Sequence, residues 1–553
     1  MSTAQQQLAS IQRSQKSPMM SAAAEDVPNP VSFILRTHGT STASDLETAA
    51  GEVLASIQFD LSPLFQDEDH PEFFVLDIHE ARFDALPGSP FDLAYYIREQ
   101  MGLRSVEPAL ETDFSDWAIG GAEGEEAFAA GMFKGFCFEG DEPDPDQSDL
   151  NWALKNIGVD KARADHGVDG SGIVIAHIDT GIAQHIETRN IDVANGLNLF
   201  GDSPGATDPL LSRPGQHPGH GTATSSVIVS QGAIDSHMPP GFGRITGSAP
   251  GATLFPIRAI KSVIRLNQKF VARAVDDARK AKAHIITMSL GGIWSDALKA
   301  AIQKAVDENI IVLAAAGNCV REVVYPARYD VCLAVAGTNE SGTPWKGSCR
   351  GEEVDFSAPG EFVWCARRTR KSDAIDGIGA GQGTSFAVAL SAGVAALWLQ
   401  RHGRDALIEG LKPGDTLQSL FRKLARDTAI KGTLPKSMGA GLLQAHRLLD
   451  EPISDRPEIM AASSIRSEPG SSLSQDTLAI LTGSDEADFG SASIHAESAD
   501  TGEIEPVALE IMWRVLLEAR QKSLSDPAPP LPPRSEKLSK FCAENARIGP
   551  RVP

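Results

Sequence analysis

The chain has 553 residues, 42% of them hydrophobic and 22% charged, with 73 acidic against 50 basic side chains and a net charge of -23. That length allows roughly two to four domains and a full-sized α/β core. The acidic excess argues against nucleic acid or an anionic membrane as a partner, and no segment reaches the roughly 18 apolar residues that a membrane span needs.

In chain order, residues 1–30 are polar, rich in Gln and Ser, and carry no apolar core of signal-peptide length, so they read as disordered and the location as cytoplasmic, with secretion by another route left open. The six cysteines (Cys137, Cys319, Cys332, Cys349, Cys365 and Cys542) show no C-x-x-C and no metal-ligand spacing, so reduced thiols are expected. Residues 31–116 contain strand-like runs at Val31–Leu35 and Phe73–Ile78, a helix with Phe91, Tyr95 and Met101 along one face, and an extended Val106–Leu110. These predict a small N-terminal α+β domain. Residues 117–150 form an acidic linker whose Pro-interrupted run Asp141–Asp146 reads first as solvated chain and second as a pocket-occupying or targeting element.

Residues 151–450 alternate core strands at Ile173, Leu254, Ile285, Ile310 and Val331 with helical stretches such as Lys269–Lys282 and Ser295–Asp307. The pattern predicts a three-layer α/β sandwich with a mainly parallel sheet. Residues 451–553 read as a largely disordered tail, with a helical pattern in Pro506–Leu524 and a Pro-rich run at Pro527–Pro533 that fits either a polyproline docking ligand or an extended linker.

Three segments of the central region carry chemistry. Asp179 ends the apolar run Ile173–Ile178, where open α/β sheets place functional groups. His220 lies between Gly219 and Gly221 at the start of a helical stretch, and Ser385 follows a Gly-rich turn, Gly377–Gly383, and opens the long apolar segment Phe386–Gln400. A serine hydroxyl needs an imidazole to take its proton and a buried carboxylate to hold that imidazole in the right tautomer. A fourth segment, Ile310–Ala316, runs into Gly317-Asn318 and makes Asn318 the candidate oxyanion-hole donor, with the Ser385 N–H beside it. Ile285–Met288 runs into Ser289-Leu290-Gly291-Gly292, whose bare backbone can pair with an extended peptide.

Each feature has a blander reading when taken alone. Asp179-Thr180-Gly181 fits a strand-ending turn or half of an aspartic-protease dyad, His220 a structural histidine, and Gly377–Gly381 a superficial dinucleotide loop. Ser385 is outside any G-x-S-x-G elbow, because Ala387 occupies the last position. His177 reads as a packed structural histidine or a group behind Asp179.

The run of motifs IDTG, GHGT, SAPGA, MSLGG, AAAGN, FSAPG and GTSFA resembles the subtilisin family of serine endopeptidases over roughly residues 151–450. The chain order Asp, His, Ser is that family's. The resemblance implies Asp179, His220 and Ser385 as the triad, Asn318 in the oxyanion hole, and Ser289, Leu290 and Gly291 as the strand that binds a polypeptide substrate. It also implies that the N-terminal domain is a propeptide, removed by self-cleavage within residues 114–150, with a permanent regulatory domain as the other reading. Alignment at Tyr325-Pro326 puts Val324 at the base of the pocket before the scissile bond, favouring small or medium apolar residues; Glu322 is the competitor, which would select Lys or Arg. No metal takes part in the chemistry and no cofactor is implied; structural calcium is common in the family but finds no dense Asp/Asn loop here. Phe386 stands where the family usually has Met. A catalytically silent scaffold for partner binding is the alternative function.

Overall fold

The computed structural model describes residues 31–109 apart from 40, 55–56, 67–68 and 80–89; residues 142–453 apart from 212–215, 233–244, 266 and 320–322; and parts of 507–544. The disordered stretches expected at either end, most of the acidic linker, Glu322 and the Pro-rich run lie largely or wholly outside the described residues.

The N-terminal unit is a four-stranded sheet in the order β2-β3-β1-β4, built from β1 (Val31–Arg36), β2 (Phe59–Pro63), β3 (Phe73–Ile78) and β4 (Ser105–Ala109). Alternation along β1 sends Phe33 and Leu35 to the face covered by α1 (Ala43–Leu54) and α2 (Pro90–Met101), while Ile34, with Phe73 and Val75, joins the core of the larger unit.

That larger unit is a seven-stranded parallel sheet, ordered β13-β12-β11-β9-β5-β7-β6. Its strands are β5 (Val174–Asp179), β6 (Leu197–Asn198), β7 (Thr253–Arg258), β9 (Ile285–Met288), β11 (Ile311–Ala315), β12 (Leu333–Thr338) and β13 (Val354–Pro359); the short β8 (Ile264–Arg265) and β10 (Gly291–Gly292) pair outside it. Parallel strands need crossovers, and right-handed crossovers running in opposite directions put helices on opposite faces. On one face lie α3 (His220–Val229) and the buried α6 (Thr384–His402); on the other, α4 (Lys269–Lys280) and α5 (Asp296–Asp307) pack together. The three-layer α/β sandwich is therefore present. α6 is apolar around its whole circumference because the sheet and neighbouring helices enclose it.

The chain leaves β5 toward β7 on one side and later returns to β9 on the other, so the topological switch falls between β5 and β9. Their carboxyl ends carry Asp179 and Ser289. Clefts form at such points.

Three local expectations are corrected. The segment Gly377–Gly383 is not a simple turn: Ile378–Gly381 forms β15, paired antiparallel with β14 (Val363–Ala366), and Gly381 leaves space filled by the Phe386 ring. The Gly291-Gly292 backbone is not bare, because Gly291 N–H donates to Val263 O at 2.9 Å and Gly292 N–H to Tyr325 O at 2.7 Å, as edge groups are satisfied by the nearest backbone. Cys319 is disulfide-bonded, whereas Cys332, Cys349, Cys365 and Cys542 are free and buried. A disulfide needs no fixed spacing in sequence, so the missing C-x-x-C could not speak to this one, and the expectation of reduced thiols fails for Cys319. Among the described residues no helix is long and apolar enough to cross a membrane.

Candidate active site

Asp179 ends β5 fully buried, and His220 is the first residue of α3 with its side chain 17% exposed. His220 Nδ1 lies 2.7 Å from Asp179 Oδ1, which also accepts the Thr180 N–H at 2.7 Å. Burial pushes the Asp179 carboxyl up, but the His220 charge and hydrogen bond, with help from His177 and the Thr180 N–H, outweigh it and hold the group below the ordinary carboxylate range. An ionised acid therefore faces the imidazole.

Local backbone chemistry aims the pair. Gly219 caps α3 at a φ of 78° and lies against the Arg368 carbonyl, where a Cβ would collide, so only glycine fits before His220. Thr180 Oγ1 accepts the Gly221 N–H at 3.0 Å and donates to Asp208 Oδ2 at 3.0 Å, and Gly219 N–H donates to the same oxygen at 2.8 Å. Asp208 thus ties the loop of the acid to the loop of the base. Burial raises its carboxyl above the usual range despite those donors.

Ser385 sits in the first turn of α6, buried, where free N–H groups and the helix dipole favour developing negative charge. Its hydroxyl donates to Ser289 O at 3.4 Å, and Ser289 Oγ donates to Ser385 O at 3.1 Å. Serine and substrate-strand candidate are therefore adjacent. No hydrogen bond joins Ser385 to His220 among the described residues.

Asn318 follows β11, and its Oδ1 accepts from both Thr384 N–H at 2.9 Å and Thr384 Oγ1 at 2.8 Å. A backbone N–H can only donate, so the amide is oriented without ambiguity and Nδ2 is left to face the Gly383–Ser385 backbone. Thr384 Oγ1 in turn accepts the Gly317 N–H at 3.1 Å. Val324 is half-buried, and its methyls lie close against both Gly291 and Gly317, the residues that follow Leu290 and precede Asn318.

The structure thus brings Asp179 into contact with His220, Ser289 with Ser385, Asn318 with Thr384 next to Ser385, and Val324 with Gly291, while Leu290 is buried between Ser289 and Gly291. Sequence reasoning missed Thr180, Asp208, Thr224 and Thr384; three of these lie inside or beside the motifs and were legible as hydroxyls, whereas Asp208 had no local signal. Among the described residues no group of three or more His, Cys, Asp or Glu is placed to hold a metal ion, and no calcium is assigned.

The subtilase family model matches residues 170–441. The chain is 29% identical over 298 residues to a thermostable alkaline protease of Halalkalibacterium halodurans, covering 54% of this chain and 72% of that protein. It is 31% identical over 252 residues to the subtilisin of Bacillus pumilus, covering 44% of this chain and 82% of that one. Its fold is similar to that of fervidolysin from Fervidobacterium pennivorans, described as a keratinolytic enzyme related to subtilisin, with a TM-score of 0.54, 20% identity, and 78% of this chain and 63% of that chain covered. The chain belongs to the subtilase family, the serine endopeptidases related to subtilisin.

Proposed function

We propose that the chain hydrolyses peptide bonds through Asp179, His220 and Ser385, by way of an acyl-enzyme, and matures by cutting itself. The contact of His220 Nδ1 with the buried Asp179 carboxylate is the observation that carries the reading. It fixes the Nδ1–H tautomer and leaves Nε2 as the base.

Ser385 Oγ attacks the scissile carbonyl as Nε2 takes its proton. The carbonyl oxygen, now negative, is received by Asn318 Nδ2 and the Ser385 N–H. His220 then protonates the leaving amine, and water repeats the sequence on the acyl-enzyme. The acyl part of the substrate lies along Ser289–Gly291, with Gly291 exchanging its bond to Val263 for one to the peptide.

The N-terminal unit serves as a propeptide. Its β4 docks on the start of α5, where Glu107 Oε1 accepts the Asp296 N–H at 2.8 Å and Ser105 Oγ donates to Asp296 Oδ2 at 3.0 Å. Its last described residue, Ala109, gives its carbonyl to Asn267 Nδ2 at 3.2 Å, just past β8. The described chain resumes at Glu142, which is held against Ala380, five residues before the nucleophile in sequence. The cut is expected in the connector, within residues 114–150. Purified wild type should shorten at one site there while Ser385→Ala stays full length; an active enzyme that remains at 553 residues would favour a permanent N-terminal domain.

A further inference from the structure

Within the acidic run Asp141–Asp146, one side chain is held on the enzyme body. Glu142 Oε1 accepts the Ala380 N–H at 2.7 Å, and Oε2 lies 2.7 Å from Arg367 Nη1. Ala380 belongs to β15, which among the described residues has β14 on one side and no strand on the other, so its N–H is an edge donor. Gly379 completes the arrangement: a Cβ there would come within 2.6 Å of Arg367 Cδ and 2.9 Å of Glu142 Oε1, so the missing side chain lets Arg367 lie across the strand. A guanidinium and a backbone N–H converging over a cleared floor fit one group, a carboxylate.

The position of this site gives it a role. The β14–β15 hairpin stands against α3, where Ala366 N–H donates to Ser226 Oγ at 2.9 Å and the Arg368 carbonyl packs on Gly219 beside His220. His220 hands its proton to the departing amine, so the hairpin side of the cleft faces the part of the substrate that leaves. Only residues 381–384 separate Ala380 from Ser385, which at about 3.3 Å per residue places the Ala380 N–H within roughly 16 Å of the nucleophile.

We propose that Arg367 and the Ala380 N–H form a carboxylate-binding subsite on the leaving-group side of the cleft, selecting peptides with Glu or Asp about two to four residues after the scissile bond, and that Glu142 fills it from within the same chain. This rests on the peptidase reading above. Glu142 is then a built-in competitor: while it is seated, an acidic substrate gains little from the subsite, and once it is displaced the preference emerges. Both charged side chains are about half exposed, 51% for Arg367 and 42% for Glu142, so the preference is modest and weakens with salt.

The test uses two fluorogenic peptides that differ only in carrying Glu or Gln at the third position after the scissile bond, with kcat/KM read on the purified enzyme once any self-cutting is complete and the reactive serine has been titrated. Glu142→Gln should cut the Glu peptide about three- to tenfold faster than the Gln peptide, wild type should show a smaller ratio, and 0.5 M salt should shrink both. Adding Arg367→Gln to Glu142→Gln should bring the ratio to about one, while adding Arg367→Lys should keep part of it. Equal cleavage of the two peptides by Glu142→Gln, or a ratio that survives Arg367→Gln, would remove the subsite and leave the peptidase reading standing. Failure to cut either peptide would remove both.

Discussion

The hydroxyl of Thr224 lies between a second histidine and the buried acid, 2.9 Å from His177 Nε2 and 3.2 Å from Asp179 Oδ2. Thr224 has one proton, so if it donates to the carboxylate it must accept from an Nε2–H. His177 Nδ1 is buried without a partner, where a second proton would go unsatisfied, so the ring stays neutral. Burial is the main reason it stays neutral: its pKa falls to about 4, with the Asp179 charge pulling the other way and His220 adding to the drop.

Acid should therefore weaken the fold through His177. Between about pH 6.5 and about pH 4 the unfolded chain binds a proton that the folded chain refuses, so this contribution is intact above about 6.5 and is lost as pH falls through that window. The shift corresponds to roughly 3 kcal/mol. Denaturant midpoints of Ser385→Ala, chosen to prevent self-cutting, should fall more steeply from pH 7 to pH 4.5 than those of the same protein carrying His177→Val. Parallel pH profiles for the two would remove His177 from the account.

Triad members act as a unit, so losses from their substitution should not add. Ser385→Ala and His220→Ala should each lower kcat by at least about 10⁴, and the double variant should be little worse than either. Single-turnover kinetics on one peptide, at high enzyme, makes the comparison. Multiplying losses would mean that the residues work independently.

The orientation of the Asn318 amide should show in turnover, not in binding. Asn318→Ala should lower kcat by about 10²–10³, the magnitude known for the corresponding residue of subtilisin, with KM nearly unchanged. Thr384→Val keeps the backbone N–H to Oδ1 but drops the hydroxyl, so a smaller fall of about tenfold is expected. A rise in KM at constant kcat would assign Asn318 to substrate binding.

Val324 should set the depth of the pocket. With its methyls close against both Gly291 and Gly317, wild type should favour Ala or Val before the scissile bond over Phe by a graded factor, since a methylene of misfit is worth about 1–3 kcal/mol. Val324→Gly should shift a peptide-library profile toward Phe and Leu. A profile dominated by Lys and Arg in wild type would point to Glu322 instead.

The sheet and the motif positions were legible because buried parallel strands read as continuous apolar runs: β5, β9 and β11 all ended beside the residues expected to matter. Less was legible where contacts are long-range. α1, β2 and α7 (Leu417–Thr428) carry mixed surfaces and were not anticipated. β15 is Ile-Gly-Ala-Gly, and three of its four residues disfavour strands; pairing with β14 makes it one. Asp208 and Glu142 act on residues 11 and 238 positions away, and nothing in their neighbouring sequence says so.

The claim at the centre is that Ser385 is the nucleophile activated by His220 and Asp179, and reaction with a fluorophosphonate tests it most directly. Wild type should become labelled on Ser385, located by peptide mass spectrometry, with Ser385→Ala unlabelled and His220→Ala labelled slower by several orders of magnitude. Absence of labelling in a folded wild type, or labelling on another residue that persists in Ser385→Ala, would contradict the account.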